Sequence, residues 1–201
     1  MHTDNRDEMR DRIIEAALKR FTHYGASKTT MNEIAEDLHC SKASLYYYFP
    51  DKNALHFGVL EKAGETFFAR LEKVAEGEGA TVDILLEMAR VRHIFAKRFC
   101  RLELFKVLRD KQIDTTGDVF EQARQRETAM TAKVLQAGID RGELAPCDVQ
   151  QMAVLYIQSM LGLRLSLANG AMSDDISEEG FETVRQWQEQ FTAIFIKGLK
   201  K

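Results

Sequence analysis

Apolar residues along this chain recur at spacings of three and four over long stretches, and the alternation of a half-buried strand is absent, so the pattern predicts an all-α protein. The first stripe, Ile13, Ile14, Ala17, Leu18 and Phe21, belongs to an amphipathic helix expected from about Arg6 to Tyr24. Gly25 closes it, because glycine takes the left-handed conformation of a helix C-terminus at least cost. Thr30 and Glu33 have the spacing of a capping box, which starts a second, short helix with Ile34, Ala35 and Leu38 turned inward. Ser41 caps a third, Lys42 to Tyr48, whose Leu45 and Phe49 return to the core at a spacing of four. Two short capped helices joined by a tight turn make a helix-turn-helix. Pro50 ends the third helix, and Asp51 caps a long fourth helix running from Lys52 to about Glu76, with Leu55, Val59, Phe67, Phe68 and Leu71 on its inner side.

The stretch Glu76-Gly77-Glu78-Gly79-Ala80 is the clearest break, followed by softer ones at Thr115-Thr116-Gly117, Arg141-Gly142 and Asn169-Gly170. Between them the spacing predicts two helices over Thr81 to Lys111, one over Asp118 to Arg141, one over Asp148 to Ala168 and a last one capped by Ser177. The helix after Asp148 is apolar nearly all round, which requires burial on every side. A second copy of the chain meets that demand: this helix and the last one would form a four-helix interface about a two-fold axis, with Leu155, Ser159, Gly162, Leu163, Phe191, Ile194 and Phe195 as contact residues. The expected organisation is a small head, residues 1–52, and a larger helical body, residues 53–201.

With 45% hydrophobic residues and a net charge of −3, the chain has material for a real core and is not a uniformly basic coating protein. The three cysteines, Cys40, Cys100 and Cys147, are scattered and have no CxxC, so reduced thiols are expected rather than a disulfide framework or a thiolate zinc site. The histidines show no ligand spacing, and no cofactor or metal is expected. The N-terminus is polar, and no apolar run approaches the roughly 18 residues of a membrane span, which points to a soluble cytoplasmic protein that does not engage membranes. HExxH, GxGxxG, GxxxxGK[ST] and GxSxG are missing, so an enzyme is not expected.

The chemistry that stands out lies on the third helix. With Leu45 and Phe49 inward, Lys42, Ala43, Ser44, Tyr46 and Tyr47 face outward, a set suited to a DNA major groove: lysine bonds guanine, small and aromatic groups meet thymine methyls, and hydroxyls reach phosphates. Tyr46, Tyr47 and Tyr48 cannot all face one core, because neighbours on a helix point in different directions. Ile13-Ile14, Ala17, Phe21, Gly25, Thr29-Thr30, Ile34-Ala35, Ser41, Leu45-Tyr46, Phe49 and Lys52, in this order and spacing, resemble the DNA-binding domain of the tetracycline-repressor (TetR) family. The resemblance implies base contacts from Lys42, Ala43, Ser44 and Tyr47, and backbone contacts from Thr30, Tyr46, Tyr48 and Lys52. One position departs from it: where the family usually has a small residue in the turn, often glycine, this chain has His39, followed by Cys40. Cys40, beside the recognition helix, reads as a neutral filler, with a thiol sensor as the alternative. Residues 1–52 carry eight lysines and arginines against nine carboxylates, so binding has to rely on the placement of charge and on dimerisation.

The resemblance further implies a homodimer that reads a palindromic double-stranded DNA operator, with recognition helices about one helical turn, roughly 34 Å, apart. It also implies a small-molecule effector of lipophilic or aromatic character that releases the protein, acting as a repressor, from DNA. Candidate ligand residues are Phe67, Met88, Arg92, Phe95, Phe99, Phe105, Met130, Met152 and Tyr156, flat or flexible apolar groups that serve equally well to fill a solid core. Arg92 and His93, in an otherwise apolar helix, suit an anionic ligand, a plain salt bridge or simple exposure to solvent. A regulator of the same fold governed by a protein partner, or by no ligand, is the alternative.

Overall fold

A computed structural model describes residues 2–103, 116–167 and 177–201, and all regular structure among them is helical. The helices are α1 (His2–Tyr24), α2 (Met31–Asp37), α3 (Lys42–Tyr48), α4 (Lys52–Ala75), α5 (Thr81–Arg101), α6 (Thr116–Asp140), α7 (Val149–Leu167) and α8 (Glu178–Leu199). Most boundaries fall where caps and breaks place them. Thr30, Ser41, Asp51 and Ser177 each accept a backbone N–H from the first turn that follows, and Gly25 sits at φ 87°. Two boundaries differ. α1 starts at His2 rather than near Arg6, and α6 starts at Thr116, within the expected Thr115-Thr116-Gly117 break. Neither Thr116 nor Gly117 prevents a helix from starting; each merely lowers its propensity. Of the two helices expected over Thr81 to Lys111, α5 ends at Arg101 and the remainder lies outside the described residues.

The buried apolar residues form two clusters. The first joins Ile13, Ile14, Ala17 and Phe21 of α1, Met31, Ile34 and Ala35 of α2, and Leu45 and Phe49 of the α3 region to Leu55, Val59 and Ala63 of α4. The second joins Phe67 and Leu71 of α4 to the inner faces of α5, α6, α7 and α8. Helix α4 is thus rooted in both, its upstream half in the head and its downstream half in the body.

One distant residue completes the head. Leu102, just past α5, is fully buried among the head's side chains. Around it the end of α5 is fastened to the head by polar contacts. His56 Nε2 lies 2.5 Å from the Leu102 carbonyl, and Phe21 meets the His56 ring edge to face. Glu103 then takes φ 52° and turns its carboxylate to accept hydrogen bonds from Ser27 N at 2.7 Å and Ser27 Oγ at 2.5 Å.

The opposite end of α5 is fixed as well. Its N-cap, Ala80, has no side-chain oxygen, and Glu143 takes over that role by accepting from Thr81 N and Oγ1, both at 2.8 Å. Arg141 also donates to Glu143, and together these bonds hold the Glu143 carboxyl well down, at about 2. The helices meet closely here: a Cβ added to Gly138 of α6 would lie 2.2 Å from Thr81 Oγ1.

Burial disfavours the charged form of His56 and lowers its pKa from the ordinary 6.5, with Lys52 acting in the same direction and the Leu102 carbonyl and Glu103 opposing. His93, also partly desolvated, shifts the same way. The unfolded chain therefore binds protons more tightly than the folded one near this pH, and the stability present above pH 6.5 is lost as pH falls below it. The melting temperature should fall between about pH 7.5 and about pH 5.5, and His56→Gln should flatten that slope in thermal denaturation followed by circular dichroism. An unchanged slope would remove His56 as its source.

Candidate functional site

Helix α3 has only seven residues, and its direction is set by two side chains. Leu45 is fully buried and Phe49 nearly so, which leaves Lys42, Ala43, Tyr46 and Tyr47 exposed on the other side. Tyr47, 66% exposed, is the most open of the three tyrosines. Ser44 is half-buried, its backbone N–H given to the Ser41 cap at 3.1 Å. Tyr48 turns partly inward against the head core, in edge contact with Tyr47 at 5.2 Å between centroids. The exposed rings are flanked by cations: Arg6 lies 5.4 Å from the Tyr47 ring and Lys42 5.8 Å from that of Tyr46.

The backbone-contact candidates stand at helix starts. Thr30 is exposed at the N-cap of α2, and the capping box is complete: Glu33 accepts from Thr30 N at 2.7 Å and Oγ1 at 2.8 Å. Lys52 opens α4 and donates from Nζ to the Ser27 carbonyl at 3.3 Å, so it also braces the loop that Glu103 grips. The head's acids are partly spent internally: Arg20 pairs with Asp37 at 2.5 Å and with Glu33 at 3.4 Å, and its hydrogen bond lowers the Asp37 pKa.

His39 keeps the backbone of the turn. It adopts φ 52°, the left-handed conformation that a glycine would take without strain, and Cys40 N follows by bonding to the Ala35 carbonyl at 3.0 Å. Histidine therefore substitutes for glycine without reshaping the turn, at a cost in backbone energy.

In the body, Phe67, Met88, Phe95, Met130 and Tyr156 converge in one cluster, with Met152 packed at its edge. The Phe67 and Phe95 rings lie 5.1 Å apart. Arg92 joins them, its guanidinium carbon 6.0 Å from the Tyr156 ring and its Nε donating to Glu127 at 2.5 Å. Phe105 and the Phe99 side chain lie outside the described residues. A cleft of about 500 Å³ opens on the head among Arg20, Tyr24, Lys28 and Glu33, and another of about 300 Å³ beside Gly142 and Lys200; neither includes a residue of the aromatic cluster.

Within the single chain α7 is covered on one side only. Ala153, Tyr156, Ile157 and Met160 are buried, while Leu155 is 51% exposed, Val154 is similarly open, and Gly162 has nothing within 4 Å of a Cβ. Ser159 and Leu163 are half-buried. On α8, Ile194 is 69% exposed, whereas Phe191 and Phe195 lean inward on Tyr156 at 5.9 and 5.3 Å. The two phenylalanines thus belong largely to the chain's own core, because Tyr156 offers them a ring to pack on. Val154 is an exposed apolar residue that the sequence reading missed, and Trp187, on the apolar stripe of the last helix, is exposed as well. Glu127 was missed too, although its place three and four residues before the inward Met130 and Thr131 was a signal.

Residues 13–58 match the family described as bacterial regulatory proteins, tetR family. A transcriptional regulator from Cytophaga hutchinsonii has a structure similar to this one with a TM-score of 0.85 at 31% identity, covering 94% of this chain and 97% of that one. The chain belongs to the TetR family of bacterial regulatory proteins. Among further matches, the HTH-type transcriptional repressor ComR of Escherichia coli K12 is 25% identical over 188 residues, 90% of this chain and 89% of ComR. A transcriptional regulator from Saccharomonospora viridis, solved in complex with choline, shares the fold with a TM-score of 0.69 at 18% identity, over 93% of this chain and 96% of that one. This TetR-family chain is a DNA-binding transcriptional regulator, all-helical, with its helix-turn-helix in the N-terminal head. No helix among the described residues is long and apolar enough to cross a membrane.

His39→Gly should relieve the left-handed strain against glycine's greater entropy loss, for a net gain of a few tenths to about 1 kcal/mol in chemical denaturation. A loss of stability would show that the His39 side chain, not its backbone, holds the turn.

Proposed function

We propose that the chain is a homodimeric repressor that reads a palindromic operator with α3 and leaves it when a small, largely apolar molecule occupies the body. The observation that carries this reading is the division of α3: Leu45 and Phe49 are buried, while Lys42, Ala43 and Tyr47 stand exposed on the opposite side. In this reading Lys42, Ala43, Ser44 and Tyr47 contact base edges, and Thr30, Tyr46, Tyr48 and Lys52 contact phosphates, with the half-buried Tyr48 offering its hydroxyl end. The helix-turn-helix lies within residues 1–52, and residues 53–201 carry the effector and dimerisation functions, with the upstream half of α4 and Leu102 completing the head's core.

The open apolar residues Val154 and Leu155 on α7, and Trp187 and Ile194 on α8, support pairing of two copies through these helices, with Ser159 and Gly162 allowing close approach and Leu163 packing beside them. Phe191 and Phe195 back that surface from within. Release follows from the two attachments of the head. Helix α4 spans head and body, and the end of α5 is inserted in the head, so a molecule that changes how α5 packs biases the head's position by its difference in affinity for the two arrangements. The repressor name of ComR and the choline bound in the Saccharomonospora viridis structure support repression and a small effector. The chain's place in the cytoplasm follows from a target that is DNA.

An operator recovered by selection from random duplexes tests the reading. Tyr47→Ala should flatten the preference at one or two base pairs per half-site, costing about 1–3 kcal/mol there in fluorescence anisotropy. Lys52→Ala should weaken all sequences alike. Failure to recover any preferred sequence, or unchanged binding in both variants, would remove α3 as the reading element.

Ile194→Glu should shift the protein towards monomer in sedimentation velocity and weaken binding to the full palindrome more than to a half-site. A dimer of undiminished stability would place the interface elsewhere.

A further inference from the structure

Arg92 is the most incompletely satisfied charge among the described residues. It stands midway along α5 with 12% of its side chain exposed, and its Nε donates to Glu127 Oε2. Nη1 and Nη2 are both buried with no hydrogen bond of good geometry, and the Tyr156 hydroxyl beside them is at most one acceptor for the four outer N–H donors of the cation. The Tyr156 hydroxyl donates to Thr192 Oγ1 at 2.8 Å, since Thr192 gives its own proton to the Gln188 carbonyl, and the phenol oxygen is left to face the guanidinium.

A second orphan lies close by. Thr131 is fully buried and its Oγ1 is unpartnered. Arg92 faces Glu127, and Thr81 faces Gly138, so α5 and α6 run antiparallel and Thr131 falls level with Met88. Thr131 is one turn from Glu127, about 6 Å along the seam. Two independent polar groups therefore lack partners on one stretch of one helix interface, walled by Met88, Phe95, Met130 and Tyr156.

A polar group left unpaired in an apolar interior is unfavourable, and a site that keeps several of them is one that expects a guest. The guest's chemistry follows from the donors. Nη1 and Nη2 form a planar fork matched by the two oxygens of a carboxylate, and the other edge of the guanidinium is already held by Glu127. The walls are apolar, and methionines re-pack around an inserted group at little cost.

We propose that Arg92 anchors an organic monocarboxylate with an apolar body, whose carboxylate docks on Nη1 and Nη2 and accepts a further hydrogen bond from Thr131 Oγ1. The proposal rests on the effector reading of the body and names its ligand class. The position suits regulation: Arg92 is on the helix whose end grips the head, ten residues and about 15 Å from Leu102.

The test uses the whole purified protein without DNA, and matched pairs of acid and amide: octanoate and octanamide, phenylacetate and phenylacetamide, indole-3-acetate and indole-3-acetamide. At least one acid should bind saturably in calorimetry, with its amide weaker by about tenfold or more. The variant Arg92→Gln/Glu127→Gln removes the pair without stranding a buried charge, and should lower affinity for that acid by a similar factor. Thr131→Val, which leaves all charges in place, should weaken it by a smaller factor and keeps the test open should the double variant fail to fold. Absence of saturable binding by all three acids, equal binding of acid and amide, or undiminished binding by the variants overturns the proposal. A carboxylate that binds through Arg92 yet leaves operator affinity unchanged keeps this site and retires the effector reading. An uncharged ligand that releases the operator while the acids do not bind does the reverse.

Discussion

The burial of Leu102 among the head's side chains is the contact on which the rest of the molecule turns. Full burial of one leucine is worth about 1.5–3 kcal/mol, comparable with a large share of the head's net stability if it stood alone. That contact makes the end of α5 part of the head's core while the remainder of α5 belongs to the body. Its surroundings permit no easy slippage. His56 holds the Leu102 carbonyl, and Glu103, in a backbone conformation few non-glycine residues adopt, spends its carboxylate on Ser27. Ser27 in turn offers its carbonyl to Lys52 at the start of α4. Both helices that enter the body are thus joined at one loop of the head.

Much of the head was legible in the sequence because its instructions are local. Thr30 with Glu33, Ser41, Asp51 and Gly25 each act within one turn of chain, and each capping contact is present. The orientation of α3 followed from two residues four apart. The backbone at His39 was not legible, since histidine is neither required nor excluded in a left-handed turn, and only the flanking hydrogen bonds of Leu38, His39 and Cys40 settle it. Three consecutive tyrosines cannot point one way, and that Tyr48 is the one turned partly inward depends on its packing against the head core rather than on local spacing.

The body was less legible, because its informative contacts join residues far apart in the chain. Arg92 with Glu127, Thr81 with Glu143, and Glu103 with Ser27 bridge 35, 62 and 76 positions. No periodicity reveals such partners. Apolar content showed that α7 and α8 needed cover but did not show how it was shared: Phe191 and Phe195 cover Tyr156 within the chain, while Leu155, Val154, Trp187 and Ile194 remain open. Charge balance was uninformative for the same reason, since Arg20 is held by Asp37 and Glu33 and is only partly available to a nucleic acid.

The tight meeting of Thr81 with Gly138 and Glu143 makes a pivot of the far end of α5. With that end pinned, α5 and α6 separate only as the blades of scissors do, by angle rather than by translation. Arg92 is about 16 Å from the pivot and Leu102 about 31 Å, so any gap opened beside Arg92 is roughly doubled where α5 enters the head. A displacement of one ångström at the guanidinium then exceeds what a close-packed core absorbs around Leu102, and the core must either repack or let go.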